Sequence, residues 1–206
     1  MKKEEKYGLY EKLYFHENDV KEKLHARVQG VFAFFALVIT AIAYIFKNTS
    51  SSPAWVFYTI NILLSLTAVL IFLAAWKLKK AFWGNKYARL ATPKEISVYE
   101  KELMNYHSKM KKYNEDYPHN AQPLEDVEQS LRDWICSSFE EASSVNIEVN
   151  AMRSEMIHEA VLRLFYGLIP LAVAMALFLS FNLDSSAPRN SSSPKSIIIV
   201  NNPMYT

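Results

Sequence analysis

Residues that could do chemistry are few in this 206-residue chain, and their spacing matches no common catalytic or metal site. None of the five histidines has a paired cysteine or carboxylate at ligand spacing, and Cys136 is the single cysteine. The four glycines do not cluster into a phosphate-binding loop, and no serine lies in a Gly-x-Ser-x-Gly turn. We therefore expect no enzymatic activity, no cofactor and no metal.

One pair of residues, Arg153 and His158, has the Arg-x4-His spacing used by HEPN ribonucleases to place a cation and a base on one helix. The spacing arises often by chance on charged helices. The pair also precedes an apolar segment so closely that an RNA strand would be hard to place. We interpret it as a solvated pair that anchors the helix at a membrane interface. With a net charge of only +2, no direct binding of nucleic acid is expected.

Three segments of the chain are free of charged residues and long enough to cross a bilayer, whose hydrocarbon core needs about 20 apolar residues in a helix. They are residues 28–46, 48–76 and 164–183. The remaining residues are strongly charged and show helical rather than strand periodicity. The sequence therefore predicts an all-α integral membrane protein with three transmembrane helices and a helical cytoplasmic region, either a hairpin or a coiled coil.

Basic residues predict the orientation of these spans. Twenty of the 23 lysines and arginines lie in residues 1–27 and 77–163, and such flanking segments stay in the cytoplasm. The charged head is too long for a cleaved signal peptide and indicates an uncleaved signal anchor. We expect a multi-pass protein of the cell inner membrane with a cytoplasmic N-terminus. Trp55 and Trp76, at the two ends of the second span, suit the two membrane interfaces.

This layout divides the chain into five parts. They are a cytoplasmic amphipathic helix (1–27), a two-span hairpin (28–76), a cytoplasmic helical region (77–163), a third span (164–183) and an extracytoplasmic tail (184–206). The tail is expected to be disordered because it is rich in serine and proline. Its apolar run at 197–200 is either an edge strand for an outside partner or simply a terminus.

Helix signals divide the cytoplasmic region. The head helix is expected to continue into the first span without a break. Thr92 and Glu95, on either side of Pro93-Lys94, predict a capping box that opens a helix running to about Tyr113. Two prolines in residues 114–123 end that helix. From Leu124 no helix breaker precedes the third span, so we expect a rod that enters the membrane directly.

This last helix carries an apolar repeat with alternating spacings of four and three. A 3.5-residue repeat keeps one seam facing a partner helix. One interpretation is a coiled coil between copies of the chain, giving a homo-oligomer; the other is packing against the 93–113 helix of the same chain. Ser138 is the one polar position of the repeat. We propose that the association seam consists of the apolar positions of this repeat, which are Leu131, Ile135, Ala142, Val145, Val149, Met152 and Met156.

Within the spans there is no ionisable residue, which argues against a coupled transporter. Asn61 and Ser65 lie one turn apart in the second span. An amide in hydrocarbon needs a partner, so we expect Asn61 to bond another helix or, alternatively, to line a wet lumen. Gly167 and Pro170 in the third span free a backbone carbonyl and permit a kink.

Several loosely spaced residues together resemble a known group of proteins. They are Tyr-Glu-Lys-Leu-Tyr-Phe-His-Glu at 10–17, Lys-Leu-His-Ala-Arg-Val-Gln at 23–29, Pro-Lys-Glu-Ile-x-x-Tyr at 93–99, and Asn146-x3-Asn150-x2-Arg153 ahead of the third span. In this layout the chain resembles the small membrane effectors of bacterial antiphage defence, including the SLATT group and the transmembrane effectors of retrons. A third hydrophobic helix exceeds the two-span SLATT pattern.

The resemblance implies an abortive-infection effector, a toxin that stays silent until a sensor partner releases it. It would then assemble in the inner membrane and permeabilise it. In the retron version the implied partner is a reverse transcriptase with its RNA–DNA product. The alternative is a non-catalytic membrane scaffold or regulatory subunit that recruits partners through its cytoplasmic helices.

Overall fold

The structure, a computed structural model, describes residues 3–186, and this part of the chain is all-α. Its four helices are α1 (Lys3–Asn48), α2 (Ala54–Phe82), α3 (Pro93–Asp116) and α4 (Val127–Ser180), with a short 3-10 turn at Pro118–Asn120. Three of them, α1, α2 and α4, are long and apolar enough to cross a membrane. We call residues 28–46, 54–76 and 164–183 the apolar half, and residues 3–27 and 84–163 the charged half.

Helices α1 and α4 lie side by side and parallel over almost their whole length. With 46 and 54 residues they measure about 70 and 80 Å at 1.5 Å per residue. At one end the Lys3 ammonium lies 2.9 Å from the Asp133 carboxylate, and at the other the Tyr44 hydroxyl donates to Asp184 over 2.8 Å. Both helices pass from the charged half into the apolar half without interruption, which confirms the predicted continuity.

A single heptad repeat packs α4 against its neighbours from the charged half into the apolar half. A repeat of 3.5 residues per turn lets two helices stay in contact by winding slightly around each other. Helices α1 and α4 therefore form a parallel coiled coil within one chain, and α2 joins them as an antiparallel third helix. The buried positions of α4 in this repeat are Phe139, Ser143, Asn146, Asn150, Arg153, Ile157, Ala160, Leu164, Gly167, Leu171, Ala174 and Phe178.

In the apolar half, apolar side chains fill the core between the helices and also cover the outer surface of the bundle. Leu37 and Ile62 are each 68% exposed and Ile169 is 63% exposed, one on each of the three helices. Such a belt is unfavourable in water and suits contact with lipid. Trp55 and Trp76 are both more than half exposed near the ends of α2. Twenty-one residues of helix separate them by about 32 Å, close to the thickness of a hydrocarbon core.

A short clip closes the end of the apolar half. Ser50 N donates to Leu183 O and Ser185 N donates to Asn48 O, both over 3.0 Å, so the α1–α2 loop pairs with the chain that follows α4. The disordered tail was predicted to begin at Asp184. The structure instead ties residues 184–186 into this clip, because backbone groups there find partners on the loop. The rest of the predicted tail, including 197–200, lies outside the described residues.

Helix α3 begins as predicted. The Thr92 side chain accepts from Glu95 N over 3.3 Å, and Thr92 N donates to the Glu95 carboxylate over 2.6 Å, which completes the capping box. The helix ends at Asp116, three residues beyond the predicted Tyr113. Among the four helices it contacts only α4, where the Tyr99 ring stacks on Trp134 at 4.6 Å between centroids. Most of α4 packs on α2 and α1 instead.

Candidate functional site

Four consecutive core positions of α4 are polar although the repeat they belong to is otherwise apolar. Ser143, Asn146, Asn150 and Arg153 are all at most 3% exposed. They lie in the charged half, and the apolar core begins just after them at Ile157. We call these four residues and their bonding partners the polar layer. Because buried polar groups are unfavourable without partners, each of them indicates a specific tertiary contact.

Arg153 is the largest fully buried side chain among the described residues, with 1% exposure. Its Nε donates to the carbonyl oxygen of Ala81 over 2.8 Å, and its Nη1 donates to the Tyr87 hydroxyl. Ala81 lies in the last turn of α2, where carbonyls lack partners within the helix. A cation there is also favoured by the helix dipole. Arg153 therefore caps α2 from the side.

The third donor group of Arg153 has no partner. Nη2 is buried and makes no hydrogen bond to any residue that the structure describes. The ion pairs of residues 3–186 include none with Arg153, so no carboxylate lies within 4.0 Å of this guanidinium. A buried cation held only by neutral groups is less favourable than one with a carboxylate partner. The polar layer is thus a weak point in a well-packed core.

Asn150 joins the layer to α1. Its Nδ2 donates to both the backbone carbonyl and the carboxylate of Glu17, each over 2.9 Å. Its Oδ1 accepts from the Tyr87 hydroxyl over 2.7 Å. Tyr87 therefore donates to Asn150 while it accepts from Arg153. The amide and the guanidinium are linked through one phenol.

Asn146 binds the backbone of the segment between α2 and α3. Its Oδ1 accepts from Ala88 N over 2.9 Å and its Nδ2 donates to Ala88 O over 3.2 Å, so one amide satisfies both peptide groups of this residue. The segment can return to α4 because Gly84 takes a φ of +88° just after α2. The polar layer therefore holds α1, α2 and the α2–α3 segment to one stretch of α4.

The layer contains the Glu17 carboxylate as well as the Arg153 guanidinium, and a second cation lies nearby. The Lys21 ammonium lies 4.5 Å from the centroid of the Tyr87 ring. Burial lowers the pKa of His25, and the nearby Arg153 and Lys21 lower that pKa further. These effects favour the neutral form of His25, whose ring packs edge-on against Phe82. The hydrogen bonds of the layer hold α1 and α2 in register with α4.

Arg153 and His158 do not act as a pair. Arg153 points into the core, whereas His158 is exposed on another face of α4. Five residues of helix rotate one side chain about 140° away from the other. The prediction of a solvated pair is therefore wrong for Arg153. Among residues 3–186 there is also no group of three side chains suited to hold a metal ion.

Asn61 and Ser65 bond within their own helix. Asn61 Nδ2 donates to Phe57 O and Ser65 Oγ donates to Asn61 O, each over 2.8 Å. The expected bond from Asn61 to another helix is not among the hydrogen bonds of the described residues. The physical reason is that short polar side chains reach the carbonyl one turn earlier and need no second helix.

Gly167 and Pro170 are both buried on α4 within the apolar half. A Cβ on Gly167 would lie 3.5 Å from side-chain atoms of Leu70 and Ile71, which is ordinary van der Waals contact, so Gly167 faces α2. Pro170 lies inside α4, yet the helix continues to Ser180. Of the two residues, Gly167 lies at the contact between α2 and α4.

The predicted association seam is only partly covered within one chain. Ala142 is buried, but Val145 and Met152 are 37% and 42% exposed. The other four members, Leu131, Ile135, Val149 and Met156, are half-buried. The intramolecular core uses other positions, mostly one residue further along. Self-association through the remaining apolar surface stays a prediction.

The sequence did not predict that the residues of the polar layer are buried, because hydrophobic periodicity considers apolar residues only. A signal existed, since Asn146, Asn150 and Arg153 share the heptad phase of Ile157, Ala160 and Leu164.

Comparison with protein-family models, curated proteins and solved structures finds no match to this chain.

Proposed function

We propose that this chain is a membrane effector whose charged half controls the state of its apolar half. The observation that carries the proposal is the continuous register of α1 and α4 across both halves. Helices that cross a boundary without a loop transmit rotation or sliding, since no hinge absorbs it. A signal received by the charged half therefore acts on the bilayer-facing helices.

The polar layer is the feature that supports control of the apolar half by the charged half. It combines a buried cation, an orphan donor at Nη2 and hydrogen bonds to three separate parts of the chain. Buried polar groups of this kind favour one register over others at a cost in stability. We propose that the described conformation is the resting state, and that release of the layer lets α1 and α2 shift against α4.

The biological role we propose is bacterial antiviral defence by abortive infection. Its support is the resemblance in layout, of which Asn146, Asn150 and Arg153 are part. In this role a sensor partner, such as a reverse transcriptase with its RNA–DNA product, holds the protein silent in the inner membrane. On release, copies of the chain assemble and permeabilise the bilayer. The filled core of one chain favours a pore formed between copies.

Controlled expression without any partner tests this role. We expect loss of membrane potential and entry of a membrane-impermeant dye before lysis. The matched control is a chain truncated after Arg163, which removes the third span but keeps the charged half. Normal growth and potential at high expression of the full chain would reject the effector role.

A scaffold is the second candidate, and α3 is the observation that favours it. This helix has no buried residue and exposes Val98, Met104 and Tyr106. Such a surface suits recruitment of another protein. In a scaffold, changing Met104 and Tyr106 to lysine would release a co-purifying partner while cells expressing either form grow normally.

A further inference from the structure

A groove runs along the outside of the α1–α4 pair where the charged half meets the apolar half. Its volume is about 810 Å³, and all its lining residues come from α1 and α4. This volume lies within the range of about 300–1,000 Å³ that is usual for small-molecule sites. Ser143, Asn146, Asn150 and Arg153 do not line the groove, so it is separate from the polar layer.

The groove has one polar end and one apolar end. Arg27, Glu155 and His158 line the polar end, whereas Phe34 and Phe165 line the end that continues along the apolar half. This order matches a molecule with a charged head and a hydrocarbon chain. It also matches the direction in which a lipid of the same leaflet would lie.

Gly30 faces open space in the groove. It lines the groove on α1, and no atom lies within 4 Å of the position that its Cβ would take. A glycine inside a helix is less favourable than an alanine. No atom of another helix packs on Gly30, so close helix packing does not explain this glycine. The gap is therefore available to a ligand.

Charge decides which head group fits. Arg27 is the last charged residue of α1 before the apolar half, and the ion pairs of residues 3–186 do not include it. His158 adds a second donor at the same end. Glu155 lies at the same end and offsets part of this positive charge, so Arg27 and the His158 donor together suit no more than one negative charge. Basic sites between membrane helices bind anionic head groups in this way.

We propose that the groove binds one anionic phospholipid. Its phosphodiester lies between Arg27 and His158, and one acyl chain lies over Gly30 towards Phe34 and Phe165. The inference rests on the proposed placement of the apolar half in a membrane, but not on the effector role.

Native mass spectrometry of the full chain in detergent tests the site, because it does not require correct insertion in cells. After delipidation, we expect one phosphatidylglycerol to be retained in preference to phosphatidylcholine. Arg27→Gln should reduce this preference about fivefold. Gly30→Phe should abolish retention of both lipids by filling the groove, whereas the matched variant Gly30→Ala should retain phosphatidylglycerol as the wild type does.

Two further experiments distinguish lipid binding in the groove from general electrostatic attraction and from binding of free phosphate. Lys80→Gln removes an exposed charge from α2, outside the groove, and should leave the preference unchanged. Soluble glycerol phosphate should not displace the lipid, because it lacks the acyl chain. Unchanged retention in folded Gly30→Phe, an equal effect of Lys80→Gln and Arg27→Gln, or displacement by glycerol phosphate would overturn the proposal. Circular dichroism checks that each variant is folded.

Discussion

Arg153 on α4 donates through Nε to the backbone oxygen of Ala81 on α2, 2.8 Å away, so a side chain of one membrane-directed helix caps another. The contact lies between the charged and the apolar halves. It ties the end of the α1–α2 hairpin to the rod formed by α4. Any movement of α2 along α4 must break it.

The first prediction concerns this contact. Arg153→Met should leave thermal stability unchanged or raise it, because the buried charge disappears and its partners keep other bonds. Ala81 O still accepts from Asn85 over 2.9 Å, and Tyr87 still donates to Asn150. Replacement of a buried charge by an apolar side chain is often neutral or favourable. The melting temperature in detergent measures this effect.

The same variant should raise toxicity, since it removes the hydrogen bond to Ala81 that any movement of α2 along α4 must break. Arg153→Lys is the matched control, because it keeps the charge but loses the planar group that reaches Ala81 and Tyr87 together. We expect Arg153→Lys to lower the melting temperature. Toxicity of Arg153→Met at the wild-type level would show that the polar layer does not control activity.

The second prediction concerns the Glu159 carboxylate, which lies 2.7 Å from Lys77 and 3.1 Å from Arg163. A hydrogen bond from Lys77, together with the charges of Lys77 and Arg163, lowers the pKa of Glu159. A carboxylate with a lowered pKa stabilises the fold above its unfolded pKa, near 4.3, and loses this contribution as the pH falls through the folded pKa.

Glu159→Gln should therefore lower the melting temperature at pH 7 and have progressively less effect as the pH falls below 4. Glu155→Gln, one turn earlier and absent from the ion pairs of the described residues, is the control because it removes a carboxylate without removing an ion pair. A constant difference for Glu159→Gln between pH 7 and pH 3 would mean that the ion pair is not the cause.

The third prediction tests self-association. Val145 is partly exposed and Val149 half-buried, so changing both to aspartate should leave the helix bundle intact. If copies meet along this seam, two buried unpaired charges cost several kcal/mol and should abolish the oligomer and the toxicity. Ile147→Asp is the control, because Ile147 is 41% exposed on another face of α4. Native gels and light scattering measure the oligomer. A wild-type oligomer in the double variant would exclude this seam.

The fourth prediction concerns orientation. A reporter fused after Trp83 should be cytoplasmic and one fused after Ser186 extracytoplasmic, because most basic residues lie in residues 1–27 and 77–163. Paired alkaline phosphatase and green fluorescent protein fusions at each position distinguish the two sides. Phosphatase activity at Trp83 would reverse the proposed topology and leave the fold unaffected.

Local chemistry made much of the architecture predictable from sequence. The uncharged segments mark the candidate spans, because length and hydropathy alone decide whether a helix suits a bilayer. The capping box of Thr92 and Glu95 uses groups only three residues apart. The unbroken passage of α4 into the apolar half follows from the lack of a helix breaker after Leu124. Each of these features depends on neighbours in the chain.

Only the tertiary structure decided which face of α4 is inside. The apolar repeat through Val145 and Met152 is the stronger pattern by hydrophobicity, yet those residues are exposed and Asn146 and Arg153 are buried. A polar side chain can be buried only where distant groups satisfy it, and here they come from Glu17, Ala81, Tyr87 and Ala88. Hydrophobic spacing carries no information about such partners, because they lie more than 50 residues away along the chain.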